Sequence, residues 1–293
     1  MTANASLPVP LVALLGGTEI PQLGLGVFQV LPADTTALVA QALSAGYRSV
    51  DTAAAYQNEA AVGQAIAESE LDRAEVFLTT KRWNAAQSYD ETMQAFDDSL
   101  ERLGFDYVDL YLLHWPVPIH DLYVEGWRAL IDIAASGRAR AIGVSNFNVD
   151  HIERIVAETG VAPAVNQVEL HPGFAQDELR QVHARHGIVT ESWSPLAQAD
   201  PRLLGDPAIV EISALHDKTP AQIVLRWHVQ LGCVVIPKAS SLGRLKENIS
   251  IFDFELSADE MARIEQADAV GRIGPDPATF KFSQVAAGDG CDD

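Results

Sequence analysis

Short runs of β-branched and aromatic residues alternate with helical patterns along nearly the whole chain. Strand-like runs recur eight times, and most of them are followed by a helix-like segment; they read LGLGVF, YRSVD, EVFLTTK, YVDLYLLH, RARAIGVSN, APAVNQVEL, IVTESWS and CVVIPK. Strands separated by helices pair in parallel through right-handed crossovers. Eight such units in a chain of 293 residues favour a closed (β/α)8 barrel, the TIM-barrel architecture, over an open doubly wound sheet.

Additional elements are predicted at both ends of this barrel. Residues 11–20 read LVALLGGTEI, which has the pattern of an N-terminal β-hairpin. LGRLKEN and SADEMARIEQAD follow the eighth strand and predict extra C-terminal helices. From about residue 270 the chain is rich in Gly, Pro and Asp, which indicates an irregular tail. No linker-like stretch interrupts the repeats, so we predict a single domain over residues 1–293.

The glycines of the first strand do not make a dinucleotide-binding fingerprint. Residues 24–29 read GLGVFQ and carry only the first two glycines of G-x-G-x-x-G. An open nucleotide-binding sheet would need the complete motif at its first turn. We therefore interpret these glycines as sites of close backbone approach at a strand end.

Charge and composition exclude several classes of partner. The formal net charge is −20, so nucleic acid and anionic membrane surfaces would be repelled. No run reaches the roughly 18 apolar residues that a membrane span needs. No Lys or Arg precedes Arg48, so the basic segment of a signal peptide is missing, and the two cysteines lie far apart. We expect a soluble, cytoplasmic protein, in which an anionic ligand would need a local cluster of Lys or Arg.

Polar side chains stand at the carboxyl ends of the predicted strands, where barrel enzymes place their reactive groups. Asp51, Lys81 and His114 follow three successive strands. Later strands end in further polar or aromatic residues, namely Ser145, Asn146, Asn166, Gln167, Glu169, His171, Trp193, Ser194 and Lys238. This concentration predicts an active site at the barrel mouth.

Tyr56 lies five residues after Asp51, with three alanines between them. A free tyrosine has a pKa of about 10, too high to donate a proton readily at neutral pH. A buried ammonium lowers that pKa, and Lys81 can supply it while Asp51 keeps the lysine charged. His114 can hydrogen-bond the same reacting oxygen. This combination predicts a general acid that protonates an oxygen as its carbon is reduced.

Each of these residues also has an ordinary structural explanation. Asp51 alone could cap a turn, Lys81 could be a solvated loop residue, and His114 could be a hydrogen-bonded core histidine. His183 and His186 have a spacing that can bind metal, but Arg neighbours disfavour a cation, and we predict no metal site. The joint occurrence of Asp, Lys and His at successive strand ends favours catalysis.

The chain resembles the aldo-keto reductase family over most of its length. The matching blocks are GYRSVDTAAAYQNEAAVG, VFLTTKRWN, DYVDLYLLHWP, IGVSNF, NQVELHP, SWSPL and IPKASSLGRLKEN. The family's catalytic tetrad falls on Asp51, Tyr56, Lys81 and His114. Within the family the chain is most similar to prokaryotic reductases of the 2,5-diketo-D-gluconate reductase and morphine dehydrogenase type.

The resemblance implies NADPH bound across the barrel mouth, with NADH as the less favoured cofactor. Ser145, Asn146 and Gln167 match the residues that hold the carboxamide, and Trp193 matches the ring that stacks on the nicotinamide. The remaining cofactor-binding residues implied are Gly26, Val27, Ser194, Leu196, Lys238, Ser240, Arg244, Glu247 and Asn248. Phe28, Trp83 and Trp115 would line a pocket for a carbonyl compound with a hydrophobic or mixed body.

Three features depart from the family pattern. Gln57 stands where a glycine often follows the catalytic tyrosine. Ala239 replaces a usual Ser or Thr after the phosphate-site lysine, which removes one hydroxyl unless Ser240 or Ser241 substitutes for it. The tail IGPDPATFKFSQVAAGDGCDD is distinctive, and family tails help to form the wall of the substrate pocket.

The sequence therefore predicts NADPH-dependent reduction of aldehydes or ketones by a monomer. Two alternatives stay open. The same site could run as an NADP-dependent alcohol or ketosteroid dehydrogenase, or the barrel could be a catalytically silent protein that senses NADPH.

Overall fold

The computed structural model describes residues 9–267 and 271–281. Its main sheet contains eight parallel strands, and each strand pairs with its neighbours in chain order. The strands are β3 (Leu25–Gly26), β4 (Ser49–Asp51), β5 (Phe77–Arg82), β6 (Val108–Leu113), β7 (Ala139–Ser145), β8 (Val165–Glu169), β9 (Val189–Trp193) and β10 (Val234–Val235). The eight predicted strands are all present, although each is shorter than the run that predicted it, and β3 and β10 have only two residues.

The first and last strands meet and close the sheet. Leu23 forms a parallel bridge with Val235, and the Gly24 N–H donates to the Val235 carbonyl over 2.9 Å. A Cβ atom on Gly26 would lie 2.8 Å from the Ile236 carbonyl oxygen, so only glycine permits this approach. The (β/α)8 barrel and the interpretation of the glycines are both confirmed.

A β-hairpin lies at the amino-terminal end of the barrel. Strands β1 (Leu11–Ala13) and β2 (Glu19–Pro21) pair antiparallel, as predicted. Ile20 is fully buried and belongs to one apolar cluster with Leu110 and Val165 of the barrel strands. The hairpin thus covers the apolar interior at this end, and the carboxyl ends of the strands are left for a site.

Helices surround the barrel at the predicted places. They are α1 (Pro32–Ser44), α2 (Glu59–Ala67), α3 (Tyr89–Leu103), α4 (Tyr123–Ala135), α5 (Val149–Thr159), α6 (Asp177–His186), α7 (Pro201–Leu204), α8 (Pro207–His216), α9 (Pro220–Gln230), α10 (Leu242–Ile249) and α11 (Ala258–Glu265). Ser88 and Glu91 form the capping box that begins α3. The short α7 was not predicted; it begins after Asp200, whose side chain accepts the Arg202 N–H.

The main core lies between the helices and the outer face of the barrel. Phe96, Leu100 and Leu103 of α3 are buried on one face, and Phe96 packs against Tyr111 of β6 with ring centroids 4.6 Å apart. Apolar burial of this kind makes the largest favourable contribution to the stability of a domain. In the part of the chain that the structure describes, no helix is long and apolar enough to cross a membrane.

Residues 271–281 contain no helix or strand, in agreement with an irregular tail. The remainder of the predicted tail, residues 282–293, lies outside the described residues, as do residues 1–8 and 268–270. A single domain over the full 1–293 range therefore stays a prediction.

Gly63 of α2 provides a test of helix packing. A Cβ atom there would lie 1.9 Å from the Leu103 carbonyl oxygen at the end of α3. We expect Gly63→Ala to lower the free energy of unfolding by about 3 kcal/mol, because the two backbones must separate. Gly243→Ala in α10 is the matched control: its nearest atom is 3.9 Å away, and better helix propensity should stabilise it by up to about 1 kcal/mol. Urea unfolding measures both; equal effects would contradict the packing argument.

Candidate active site

The register of the parallel strands brings the predicted reactive residues together. Asp51 is the last residue of β4 and lies opposite Thr79 of β5. Lys81 is two residues beyond Thr79 and therefore projects from the same side of the sheet. His114 follows the end of β6, and its N–H donates to the Arg82 carbonyl over 3.2 Å.

Asp51 and Lys81 form a buried ion pair. The Lys81 ammonium donates to Asp51 Oδ1 over 2.5 Å and to the Thr52 carbonyl over 2.9 Å, and its side chain is fully buried. Burial is the largest single influence and disfavours the charge, but the acidic groups around the lysine, Asp51 foremost, together outweigh it and raise the pKa of Lys81 above its ordinary value. The lysine is therefore a permanent cation at neutral pH.

The turn that carries Tyr56 is held by a separate polar contact. The Thr52 hydroxyl donates to Asn58 Oδ1 over 2.7 Å, and Asn58 Nδ2 donates to the Val27 carbonyl over 3.0 Å. Residues Ala54–Tyr56 make a single 3-10 turn, and Gln57 then adopts φ 56°. This left-handed conformation explains why glycine suits the position of Gln57, and the side chain there carries some backbone strain.

The Tyr56 hydroxyl lies beside the lysine. Lys81 Nζ donates to the phenol oxygen over 3.4 Å. Burial is the largest influence and raises the pKa of Tyr56 above 10, while the Lys81 charge works in the opposite direction. The prediction that the phenol is acidified overall is therefore wrong, because sequence reasoning did not weigh burial against the ammonium.

His114 lies next to the phenol and is neutral. Its ring is 5.7 Å from the Tyr56 ring and 5.2 Å from the Trp83 ring, in edge-on contacts. Burial, together with the positive charges of Lys81 and Arg82, holds the pKa of His114 well below 6.5. His114 Nδ1 has no hydrogen-bond partner among the described residues. A neutral imidazole in this position can hydrogen-bond a ligand without changing its charge near pH 7.

A second group of predicted residues is connected by hydrogen bonds. Asn146 Nδ2 donates to the His114 carbonyl and to Ser145 Oγ, each over 3.0 Å. Ser145 Oγ donates to the Gln167 carbonyl over 2.9 Å. Trp193 Nε1 donates to Asn146 Oδ1 over 2.9 Å, which fixes the indole beside the amides. The structure therefore brings Ser145, Asn146, Gln167 and Trp193 into one array next to the ion pair.

Sequence reasoning missed a buried carboxyl group, Glu191 of β9. Gln167 Nε2 donates to Asp51 Oδ2 over 2.8 Å and to Glu191 Oε2 over 2.9 Å. Burial and the nearby Asp51 raise the pKa of Glu191 to about 8. Glu191 lies within its strand rather than at the strand end, but an acid in the middle of a barrel strand, two positions before Trp193, was a usable signal.

The predicted phosphate-site residues lie on the surface around the start of α10. Lys238, Ser240 and Arg244 are exposed, while Ala239 is buried. The Ser241 hydroxyl accepts the Arg244 N–H as the cap of α10. Of the two serines weighed as replacements for the missing hydroxyl, Ser241 is thus occupied and Ser240 is exposed.

Other predicted cofactor residues lie deeper or have their own partners. Val27 is fully buried, and its N–H donates to the Asp51 carbonyl over 3.1 Å. Glu247 accepts the Thr219 hydroxyl over 2.6 Å. The positions of the rest are these: Gly26 is buried in β3, Asn248 is buried in α10, Ser194 has φ 48°, and Leu196 packs against the core.

Aromatic rings surround the mouth of the site. Phe28, which is 49% exposed, contacts Tyr56 with ring centroids 5.0 Å apart. Trp115 packs against Phe280 of the C-terminal segment at 4.1 Å. The segment 271–281 therefore contributes to the same wall as Phe28, Trp83 and Trp115.

Glu169, at the end of β8, fastens the C-terminal segment to the barrel. Its Oε1 accepts the Ile273 N–H over 2.6 Å, its Oε2 accepts the Gly274 N–H over 2.8 Å, and His171 is hydrogen-bonded at 3.1 Å. Burial opposes its charge, but these hydrogen bonds lower the pKa of Glu169 below its ordinary value. Among the described residues, no cluster of His, Cys, Asp or Glu is arranged to hold a metal ion.

A closed parallel barrel whose mouth gathers a buried ion pair, a phenol, an imidazole and an amide array defines a barrel enzyme with its site at the carboxyl ends of the strands. The sequence profile described as "Aldo/keto reductase family" matches residues 20–269. The chain belongs to the aldo/keto reductase family.

Individual relatives are similar along nearly their whole length. Methylglyoxal reductase DkgA of Yersinia pestis is 47% identical over 271 residues, which is 92% of this chain and 97% of that protein. Morphine 6-dehydrogenase of Pseudomonas putida is 46% identical over 288 residues, or 94% of this chain and 97% of the relative. A solved structure, a point mutant of Gox0644 in complex with NADPH, has a TM-score of 0.90 and 48% identity, and covers 94% of this chain and 100% of its own. The predicted branch of the family is confirmed.

The Glu169 contact predicts how firmly the C-terminal segment is held. In Glu169→Gln one carboxylate oxygen becomes an NH2 group, which cannot accept a backbone N–H. We expect amide hydrogen exchange in residues 271–281 to become about tenfold faster or more, because two charge-assisted hydrogen bonds are weakened. Mass-spectrometric exchange measures this, with Glu178→Gln on the exposed face of α6 as control. Unchanged exchange in the first variant would show that Glu169 does not hold the segment.

Proposed function

We propose that the protein reduces aldehydes or ketones to alcohols with NADPH, and that Tyr56 is the general acid. The observation that carries this proposal is the series Asp51–Lys81–Tyr56, in which the buried ammonium contacts both the buried carboxylate and the oxygen of the half-buried phenol. A structural ion pair alone does not need a phenol at its open end. Proton donation does need an acidic hydroxyl such as this phenol, together with a cation that stabilises the phenolate after the proton has been transferred.

The residues at the mouth fit NADPH in chemistry and charge. Gln167 uses both Nε2 hydrogens on the carboxyl groups of Asp51 and Glu191. The side-chain amide oxygen of Gln167 is therefore left as an acceptor, which suits the NH2 group of a carboxamide. Lys238 and Arg244 supply local positive charge in a chain of net charge −20. The NADPH complex of the Gox0644 mutant, a relative of nearly the same length, supports the same assignment.

Bound NADPH would supply the hydride, and the side chains supply position and a proton. As the carbonyl carbon is reduced, its oxygen becomes an alkoxide, a much stronger base than a phenolate. The Tyr56 phenol can therefore give up its proton although burial holds its pKa above 10. Lys81 stabilises the phenolate, and Asp51 keeps Lys81 charged. His114, which is neutral, can orient the carbonyl oxygen through a hydrogen bond.

The aromatic rim favours a carbonyl group attached to an apolar or mixed body. Phe28, Trp83, Trp115 and Phe280 would contact that body, while Tyr56 and His114 contact the oxygen. The relative named methylglyoxal reductase supports small α-dicarbonyl compounds as the first substrates to screen. Loss of NADPH absorbance with methylglyoxal, aromatic glyoxals and diketones is the direct test, and no oxidation above background would contradict the proposal.

A second function uses the same site in the opposite direction. The relative named morphine 6-dehydrogenase supports the dehydrogenase direction, which at this site would be oxidation of an alcohol with NADP+. Tyr56 would then act as a base in its phenolate form, which burial makes unfavourable at neutral pH. We therefore expect the oxidation rate to rise with pH to a greater extent than the reduction rate.

Cytoplasmic location and a monomeric state are part of the same proposal. They are supported by the acidic composition and by the placement of the site within one barrel. Light scattering of the purified protein tests the monomer, and a dimer at micromolar concentration would contradict it.

Tyr56→Phe removes the proton donor and keeps the ring. We expect kcat for carbonyl reduction to fall by about 10²- to 10⁴-fold, the usual contribution of a general acid. The dissociation constant of NADPH should change little, since the phenol hydroxyl is not among the proposed cofactor contacts. Tyr89→Phe is the control, because the Tyr89 hydroxyl contacts Asp132 on the outer surface. Undiminished kcat in Tyr56→Phe would exclude Tyr56 as the acid.

Arg244→Ala tests the proposed phosphate site. We expect the dissociation constant of NADPH to rise by about tenfold, which corresponds to about 1.4 kcal/mol, while that of NADH stays unchanged because NADH lacks the 2′-phosphate. Lys246→Ala, two residues further along α10 and also exposed, controls for a general change in surface charge. If both cofactors weaken equally, Arg244 does not select between them.

A further inference from the structure

The amide of Gln167 is held between two acidic side chains. Its Nε2 lies 2.8 Å from Asp51 Oδ2 and 2.9 Å from Glu191 Oε2, and Gln167 pairs with Glu191 in the register of β8 and β9. A carboxyl oxygen in this position accepts, so both contacts require the NH2 side of the amide. Removing Glu191 would free one buried N–H and allow the amide to rotate.

The charges around Glu191 do not balance if every acid is ionised. Glu191 is completely buried, and its Oε1 has no hydrogen-bond partner among the described residues. The charged groups that act on it are Asp51 of β4 and Lys81 of β5. Glu191 in turn acts on Tyr56, which lies in the turn that follows β4. On the other side, β10 places Val234 beside it. One ammonium therefore stands against two carboxyl groups, and Lys81 is already paired with Asp51.

We propose that Glu191 is a positioning residue that stays protonated at neutral pH, orients the Gln167 amide, and leaves Lys81 committed to Asp51 and Tyr56. This inference rests on the proposed function only for the ligand that Gln167 would bind. The neutral state of the Glu191 carboxyl does not depend on the proposed function.

Deprotonation would change the site in a definite direction. Burial and Asp51 raise the pKa of Glu191 to about 8. A negative charge on Glu191 raises the pKa of Tyr56, because it disfavours the phenolate. Glu191 therefore makes the site sensitive to alkaline pH, through a group that touches neither substrate nor the phenol.

The first experiment needs no cofactor. Between its ordinary pKa of 4.5 and its folded value of about 8, Glu191 holds a proton only in the folded chain. Stability therefore falls as pH rises through this window. Glu191→Gln keeps an acceptor for Gln167 and cannot ionise. The difference in Tm between this variant and wild type should therefore be about 5 °C or more larger, in favour of the variant, at pH 8.5 than at pH 5.5. If the Tm values of wild type and Glu191→Gln changed in parallel with pH, the proposal that the Glu191 carboxyl is neutral would be overturned.

The second experiment measures binding of NADPH by fluorescence. Glu191→Leu removes the acceptor and should weaken NADPH by about tenfold, whereas Glu191→Gln should restore affinity to within about twofold of wild type. Thr190→Val on the same strand is the matched control, because Thr190 contacts His183 rather than Gln167. Wild-type affinity in Glu191→Leu, or no rescue by Gln, would overturn the positioning role. If wild type bound no NADPH, the proposed function would fail while the Tm comparison still decided the state of Glu191.

Discussion

The buried ion pair between Asp51 and Lys81 is the interaction on which the site depends. Moving two charges out of water costs several kcal/mol per ion even after relaxation, and mutual attraction repays this only with good geometry. Here the ammonium also donates to the Thr52 carbonyl and the Tyr56 oxygen. A pair of apolar residues would serve stability equally well. The presence of the Asp51–Lys81 ion pair at the barrel mouth is therefore better explained by the Tyr56 phenol that the lysine contacts.

Two opposing influences act on that phenol, and neither could be ranked from the sequence. Order along the chain indicated a lysine near Tyr56, and the structure contains that contact. Burial proved the larger influence and raises the pKa of Tyr56. In the proposed function, the lysine would therefore stabilise the phenolate that forms during proton transfer rather than acidify the resting phenol.

The fold could be predicted because each barrel unit repeats one local pattern. Alternating strand and helix signals indicated the eight strands, and capping residues such as Ser88 indicated helix starts. The cluster of Asp51, Lys81 and His114 followed from strand ends, since parallel strands bring their carboxyl ends to one face. Contacts between distant segments could not follow from local pattern. The Phe280–Trp115 packing joins residues 165 positions apart in the sequence, and the Glu191–Gln167 contact depends on register.

Charge is organised locally, against the character of the whole chain. A protein of net charge −20 repels an anionic cofactor at long range. Salt at physiological strength screens exposed charges beyond about 8 Å, so distant carboxylates contribute little once the ligand arrives. In the proposed function, Lys238 and Arg244 would then act at short range, where screening is weakest. Negative charge is also limited inside the barrel: if Glu191 is protonated, it does not compete with Asp51 for the Lys81 ammonium. In the proposed function, cofactor binding and proton transfer would both require that the excess negative charge stays outside these two short-range sites.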